Sequence, residues 1–225
     1  MKKIALSALF AAALLSSPVF AQSAAQAAKE PKAAKAAKAP KAAKADGTVY
    51  KLQPQLSTLG WLGKKVGGQH NGTIQFKDGD VLVKGNQIVG GTFVVDMNSM
   101  KNTDLTDAGY NAKLMGHLTS DDFFGVAKHP TATFKITNIA PIKGAAATAN
   151  NATITGDLTV KGITSPITFP AKIGVNKDGL AAATGTATID RTKYDVKYGS
   201  TLFGAAADKA IDNDFTMSFN VIAKK

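Results

Sequence analysis

ITGDLTVKGITSPITF, residues 154–169, opens with strict alternation: Ile154, Leu158 and Val160 set against Thr155, Asp157, Thr159 and Lys161. A period of two puts successive side chains on opposite faces of a strand. One face is apolar and the other wet, which is the signature of a half-buried antiparallel strand rather than of a parallel sheet buried on both sides. The same period recurs outward along the chain. Ile74 and Phe76 oppose Thr73, Gln75 and Lys77. Ala132, Phe134 and Ile136 oppose Thr133, Lys135 and Thr137. Ala183, Gly185, Ala187 and Ile189 oppose Thr184, Thr186 and Thr188, and Phe215, Met217, Phe219 and Val221 oppose Thr216, Ser218 and Asn220.

Turn chemistry separates these runs. Lys77-Asp78-Gly79, Lys84-Gly85-Asn86 and Lys177-Asp178-Gly179 each suit a hairpin or tight turn. The longest interval without strand character is about residues 98–130, where Tyr110 to Leu118 can form a short helix with Leu114 and Leu118 on one side. The expected fold is all-β: a closed or nearly closed antiparallel barrel of about eight strands with one short helical insertion. A barrel of that size has an interior that side chains fill or that holds one small ligand. Its inward face mixes Phe76, Phe134 and Phe219 with Gly156, Ala183, Gly185 and Ala187, and periodicity alone does not choose between a packed and a hollow interior.

HLTSDDFFGVAKHPTATF, residues 117–134, joins the helix to the next strand. Thr119 and Ser120 read as the cap of a brief helix, with Asp121 and Asp122 in its first turn. Phe123 and Phe124 are adjacent, so at most one points squarely into a core and the other needs a second apolar surface. His129-Pro130 forces extended backbone. A double Phe on a loop beside a β-structure reads as a lid or plug over something apolar.

Residues 1–21 read as a cleaved signal peptide: Lys2 and Lys3, an apolar run from Ile4 to Leu15, and Val19-Phe20-Ala21. That run falls short of the roughly 20 residues needed to span a bilayer. The chain has no Cys, so disulfides and a lipid-modified Cys are excluded. The expected location is the periplasm or the outside of the cell. Residues 22–46 are an Ala/Lys-rich linker. Its lysines recur every third residue from Lys29 to Lys44, which wraps them around any helix, and Pro31 and Pro40 interrupt one. It is a solvated, extended spacer with at most weak attraction to an anionic membrane or cell-wall polymer. The formal net charge is +11. Residues 1–46 hold eight lysines against Glu30 and Asp46, or +6, which leaves +5 for the domain at residues 47–225. Nothing there resembles a base-reading motif, so nucleic acid is not an expected partner. A homodimer stays open.

Few residues suggest chemistry. His70, His117 and His129 lack metal-ligand spacing. Asp104, Asp107, Asp121 and Asp122 crowd the insertion but sit in Ser/Thr-rich contexts that favour caps and turns. Neither a G-x-S-x-G nor a P-loop is present. Arg191, the chain's only Arg, shares the inward parity of Ile189. A buried Arg needs a partner, for which Asp96, Asp195 and Asp214 are the candidates. Trp61, the only Trp, reads as core or as a wall for a ligand.

Five pieces in order resemble the YceI-like family of exported bacterial proteins: WLGKKVGGQHNGTI (61–74), FVVDMNSMKNTD (93–104), HLTSDDFFGVAKHPTATF (117–134), ITGDLTVKGITSPITF (154–169) and ATIDRTKYDV (187–196). The family's closing motif usually carries Gly where this chain has Asp195-Val196. The resemblance implies a lipocalin-like antiparallel barrel with an elongated apolar pore. It also implies a long-chain amphiphilic lipid as ligand, a polyisoprenoid, isoprenoid quinone or fatty-acid derivative, with no other cofactor and no catalysis. The residues expected at the ligand are Trp61, Phe76, Phe134, Leu158, Phe169, Ile189, Met217 and Phe219 along the tail, Phe123 and Phe124 at the mouth, and Arg191 beside the headgroup. The competing readings are a ligand-free structural or stress-related interaction module, and an enzyme acting on a lipid headgroup through His117, Asp121 and Asp122.

Overall fold

The computed structural model describes residues 46–225, so the expected signal peptide, and the Ala/Lys segment except for Asp46, lie outside the described residues. Nine strands and one helix follow in order: β1 (Thr48–Leu52), β2 (Thr58–Lys65), β3 (Gly68–Lys84), β4 (Gln87–Asn102), α1 (Ala108–Thr119), β5 (Thr131–Pro141), β6 (Ala152–Val160), β7 (Ile163–Val175), β8 (Leu180–Asp190) and β9 (Ile211–Lys224). Eight of them close on themselves in the order β3-β2-β9-β8-β7-β6-β5-β4, with β4 returning to β3. Every pairing is antiparallel. Closure removes the unpaired edges that an open sheet would expose. The expected barrel with one helical insertion is the fold of this chain.

The ninth strand shares a slot. β3 pairs with β2 through its first half and with β1 through its second, and β9 also pairs with both. β1 and β2 are therefore one strand broken by the 3-10 turn Pro54–Leu56. Pro54 has no N–H to give to a ladder, which accounts for the break. Ser57 staples it: its hydroxyl donates to the Gln53 carbonyl at 2.8 Å and accepts from the Ile222 N–H at 3.0 Å.

The alternation read from the sequence is the alternation observed. Ile74, Phe76, Ala132, Ile154, Leu158, Val160, Ala187, Ile189 and Val221 are buried on the inner face. Gly85 and Gly179 turn the chain with φ of 60° and 71°, as their turn signals require. Lys77-Asp78-Gly79, in contrast, is not a hairpin. β3 runs straight through it, and irregularities in the β3–β4 register after Thr73 and Phe76 absorb the extra residues. A bulge and a turn share the same residue types, and here the long partner β4 continues the ladder past the site.

The capping expectation for the helix is also corrected. Thr119 and Ser120 close α1 instead of opening it. Their hydroxyls donate back to the carbonyls of Met115 (2.9 Å) and His117 (2.8 Å). The N-cap is Asp107, whose carboxylate accepts from the Tyr110 N–H at 2.9 Å. Ser and Thr hydroxyls serve either helix end, because each is both donor and acceptor. Asp121 lies beyond the helix and pairs with Lys128 at 2.6 Å.

One close approach holds β5 against β6. The Phe134 ring lies across Gly156, where a Cβ would overlap the ring and come within 2.6 Å of the Lys135 carbonyl oxygen. Gly156→Val is expected to cost about 1–3 kcal/mol through overpacking. Urea unfolding followed by circular dichroism measures it, and an unchanged midpoint would show that Phe134 swings aside freely.

Candidate ligand-binding site

The barrel encloses a cavity of about 510 Å³. All eleven residues singled out in the sequence border it, from Trp61 on β2 to Phe219 on β9. Its wall sets aromatic residues next to small ones. Phe134, Phe169 and Phe219 form a run of tilted and edge-on rings, with centroids 5.6 and 5.5 Å apart. Beside them, β7 and β8 present Ala171, Ala181, Ala183 and Ala187. Large rings bridge part of the space that the alanines leave but do not fill it.

The mouth lies at one end. The cavity-lining residues that are also exposed are Lys64, Lys65, Tyr198, Lys209, Asp212 and Asp214. They come from the end of β2, the start of β9 and the connection before it. The remaining basic lining residues, His70, His117 and Arg191, belong to segments that meet at this same end. Lys65 pairs with Ile211 and His70 with Gly63. Charge concentrates where water can solvate it, because an ion deeper in the tube would need a buried partner. Sequence reasoning missed Lys64, Lys65, Tyr198 and Lys209. The only local signal was Lys64-Lys65 immediately before Val66-Gly67-Gly68, which marks a strand end.

Phe123 and Phe124 sit at this mouth. Phe123 is only 6% exposed. Its ring meets His117 at 5.0 Å and Tyr198 at 6.1 Å, and the Arg191 guanidinium lies 5.6 Å from its centroid. Phe124 packs edge-on against Phe123, with centroids 5.8 Å apart, and against Phe215 at 6.3 Å. The second apolar surface that the adjacent pair required is the cavity wall itself. His117 stands between Phe123 and Tyr198, 4.4 Å from the latter. Asp121 and Asp122 do not border the cavity.

Arg191 is buried, but none of the expected carboxylates is its partner. Its Nε donates to the Asp212 carbonyl (2.9 Å), Nη1 to the Val196 carbonyl (2.7 Å) and Nη2 to the Ile211 carbonyl (3.0 Å). Asp195 pairs instead with Lys197 at 2.6 Å. The reason is backbone geometry. The turn at Asp195, φ 59°, sets the Val196 carbonyl beside those of Ile211 and Asp212 at the start of β9, and a rigid guanidinium fork matches such a set. Burial pushes the guanidinium pKa below its ordinary value, opposed by the nearby Asp190 and Asp212.

Trp61 donates its indole N–H to the Lys101 carbonyl at 3.1 Å, which fixes the ring on the cavity wall. His70 and Asp104 pair at 2.8 Å. Partial burial raises the Asp104 carboxyl, but hydrogen bonds from the Asn71 N–H, His70 and Asn102 outweigh it and hold the group below its ordinary value.

The chain matches the model of the YceI-like domain over residues 50–223. Over 101 residues it is 38% identical to a UPF0312 protein of Pseudomonas aeruginosa, an alignment covering 43% of this chain and 49% of that relative. Over 91 residues it is 36% identical to protein YceI of Escherichia coli, covering 37% and 44%. The chain thus spans about half the length of the curated relatives it matches. Among solved structures, Burkholderia cenocepacia BcnA superposes with a TM-score of 0.58 at 22% identity, over 77% of this chain and 99% of that one. A polyisoprenoid binding domain from Saccharophagus degradans gives 0.54 at 17% identity, over 78% and 97%. These two likenesses are likenesses of fold.

Arg191→Met keeps much of the side-chain bulk and removes every donor. Stranding three carbonyls is expected to destabilise the domain by about 3 kcal/mol. Arg191→Lys should recover less than half, because one ammonium does not reproduce the fork. Thermal unfolding of the two variants checks this, and full recovery by Lys would mean that the charge matters and the geometry does not.

Proposed function

The chain belongs to the YceI-like family, and from that membership we propose that its barrel is a non-enzymatic carrier of a long-chain isoprenoid-type lipid, a polyisoprenoid or an isoprenoid quinone. The observation that carries this reading is the polarity of the cavity: an apolar tube whose charged groups collect at one mouth. An amphiphile with a single polar head enters such a space in one orientation. The tail lies along Phe76, Phe134, Leu158, Phe169, Met217 and Phe219, and the head stays near Arg191 and the rim lysines. Each buried CH₂ contributes about 0.8 kcal/mol, so ten carbons give ample gross affinity. The same arithmetic makes the tube tolerant of tail identity, and discrimination falls to the few polar groups at the mouth.

The solved relative described as a polyisoprenoid binding domain supports the same class of ligand. The basic start and short apolar run at the N-terminus support export, and with it a periplasmic or extracellular carrier. A carrier is favoured over a headgroup-processing enzyme because Asp121 is engaged with Lys128 and neither Asp121 nor Asp122 borders the cavity.

Native mass spectrometry of the protein recovered from its own periplasm tests this directly. The expected spectrum carries an adduct whose mass, once extracted, is that of an isoprenoid lipid. A clean apo mass that persists after quinone is added would sink the carrier reading. Ala183→Phe offers a second test, because it adds bulk into open space. Lipid loading should fall at least about tenfold while the melting temperature holds. A matching drop in melting temperature would mean that the interior is a packed core with no room for cargo.

A further inference from the structure

Four large apolar side chains stand exposed around the cavity mouth: Val66 (54%), Tyr198 (51%), Leu202 (70%) and Phe203 (51%). They come from two loops that the backbone ties together. The Val66 N–H, in the β2–β3 turn, donates to the Ala210 carbonyl at 2.9 Å. The Ile211 N–H donates to the Gly199 carbonyl at 2.7 Å. Lys65 pairs with Ile211. The turn, the connection around residues 197–204 and the start of β9 are thus one surface, and Tyr198 on that surface also borders the cavity.

The exposure is built in. Ser200 is 1% exposed, and its hydroxyl caps the 3-10 turn Thr201–Phe203 by accepting from the Leu202 N–H. The Ser200 carbonyl accepts from Phe203 at 3.0 Å and from Ala205 at 3.2 Å. The backbone is held while its two largest apolar side chains point mostly into solvent. Cations surround them. Lys64, Lys65 and Lys209 line the mouth. The Lys197 ammonium lies 5.2 Å from the Phe203 ring centroid. Asp195, paired with Lys197 at 2.6 Å, and Asp208, Asp212 and Asp214 match these four lysines in number, so the apolar tips supply most of any binding and the lysines add only local contacts to phosphate.

Resting on the lipid-carrier reading above, we infer that this rim docks on the surface of a lipid bilayer. Leu202 and Phe203 enter the interfacial layer, Tyr198 and Val66 flank them, and the lysines reach lipid phosphates. Apolar tips beside snorkelling lysines are the chemistry of an interfacial anchor. Continuity favours a bilayer over another folded chain. The docked patch is the lip of an apolar tube, and a bilayer supplies both an apolar layer for the tips and tails to enter the tube without crossing water.

The test uses the full chain and the double variant Leu202→Ser with Phe203→Ser. Both are sedimented with vesicles of phosphatidylethanolamine and phosphatidylglycerol, in low salt and in about 0.5 M salt, because salt screens attraction by the Lys-rich segment but not apolar insertion. Loading is followed separately through Trp61, the only Trp and part of the cavity wall, by quenching with an isoprenoid quinone. The variant should partition at least about tenfold less at both salt levels. It should load normally from detergent-dispersed quinone, and load from quinone-bearing vesicles more slowly by the same factor. Equal sedimentation of the two proteins overturns the docking surface. So does self-association on gel filtration that the variant abolishes in place of vesicle binding, which would assign the patch to a second copy of the chain. If detergent-dispersed quinone leaves Trp61 emission unchanged, the carrier reading falls, while sedimentation still decides whether the rim docks.

Discussion

The inner face of β8 carries Ala181, Ala183, Gly185 and Ala187 before its first bulky residue, Ile189, and the interior follows from that shortage of volume. In an open sandwich such a face would let a neighbouring layer move in. A closed ladder forbids this, because β8 is held on both sides by β7 and β9 in continuous register. Space that small residues leave must then be bridged by long ones or stay open. Phe169 and Phe219 reach towards it, but rings in fixed rotamers do not flow, and a gap too large for them persists as a cavity. Hollowness here follows from closure acting on composition.

Closure also decides where polarity goes. Where the ladders run, backbone groups pair with each other, so the walls there can be apolar. At the end where β8 gives way to a 3-10 turn, the first residues of β9 run beyond the last β8–β9 pair, Asp190 with Asp214, and their carbonyls have no partner on β8. Arg191 answers those of Ile211 and Asp212, together with that of Val196. A residue that looks from its charge like a ligand contact is first a replacement for missing strand pairing. Its guanidinium nevertheless lies against Phe123 at the mouth, so the group that secures the turn also gives that end of the tube a fixed cation.

The fold was legible because Thr, Ser and Lys mark the wet face of each strand so regularly that the inner face can be read by parity alone. Parity failed where the ladder itself slips. Lys77-Asp78-Gly79 has the composition of a turn, and only the length of β4 shows that it is a bulge. The helix cap was misplaced for a related reason: Thr119 and Ser120 can bond either forwards or backwards, and only the position of Asp107 settles the direction. The tail-lining residues were readable as inward-facing apolars. The mouth was not, because Lys64, Tyr198 and Lys209 are brought together by β2–β9 pairing over more than a hundred residues of chain. The partners of Arg191 were invisible for a deeper reason. They are carbonyl oxygens, which every residue carries, and side-chain identity says nothing about where they converge.

The paired Phe residues show how the wall and the mouth become one device. Phe123 is held from three sides by His117, Tyr198 and Arg191, so it behaves as structure. Phe124 faces Phe215 and the open cavity, so its surroundings change with whatever occupies the tube. Both rings border the cavity and meet each other 5.8 Å apart, Phe123 the more deeply buried and Phe124 packed on towards Phe215. Tyr198 extends that cluster outwards to the exposed rim of Leu202 and Phe203. Apolar lining thus reaches from the inner face of β8 to the mouth, and further apolar side chains stand exposed on the loop beyond it.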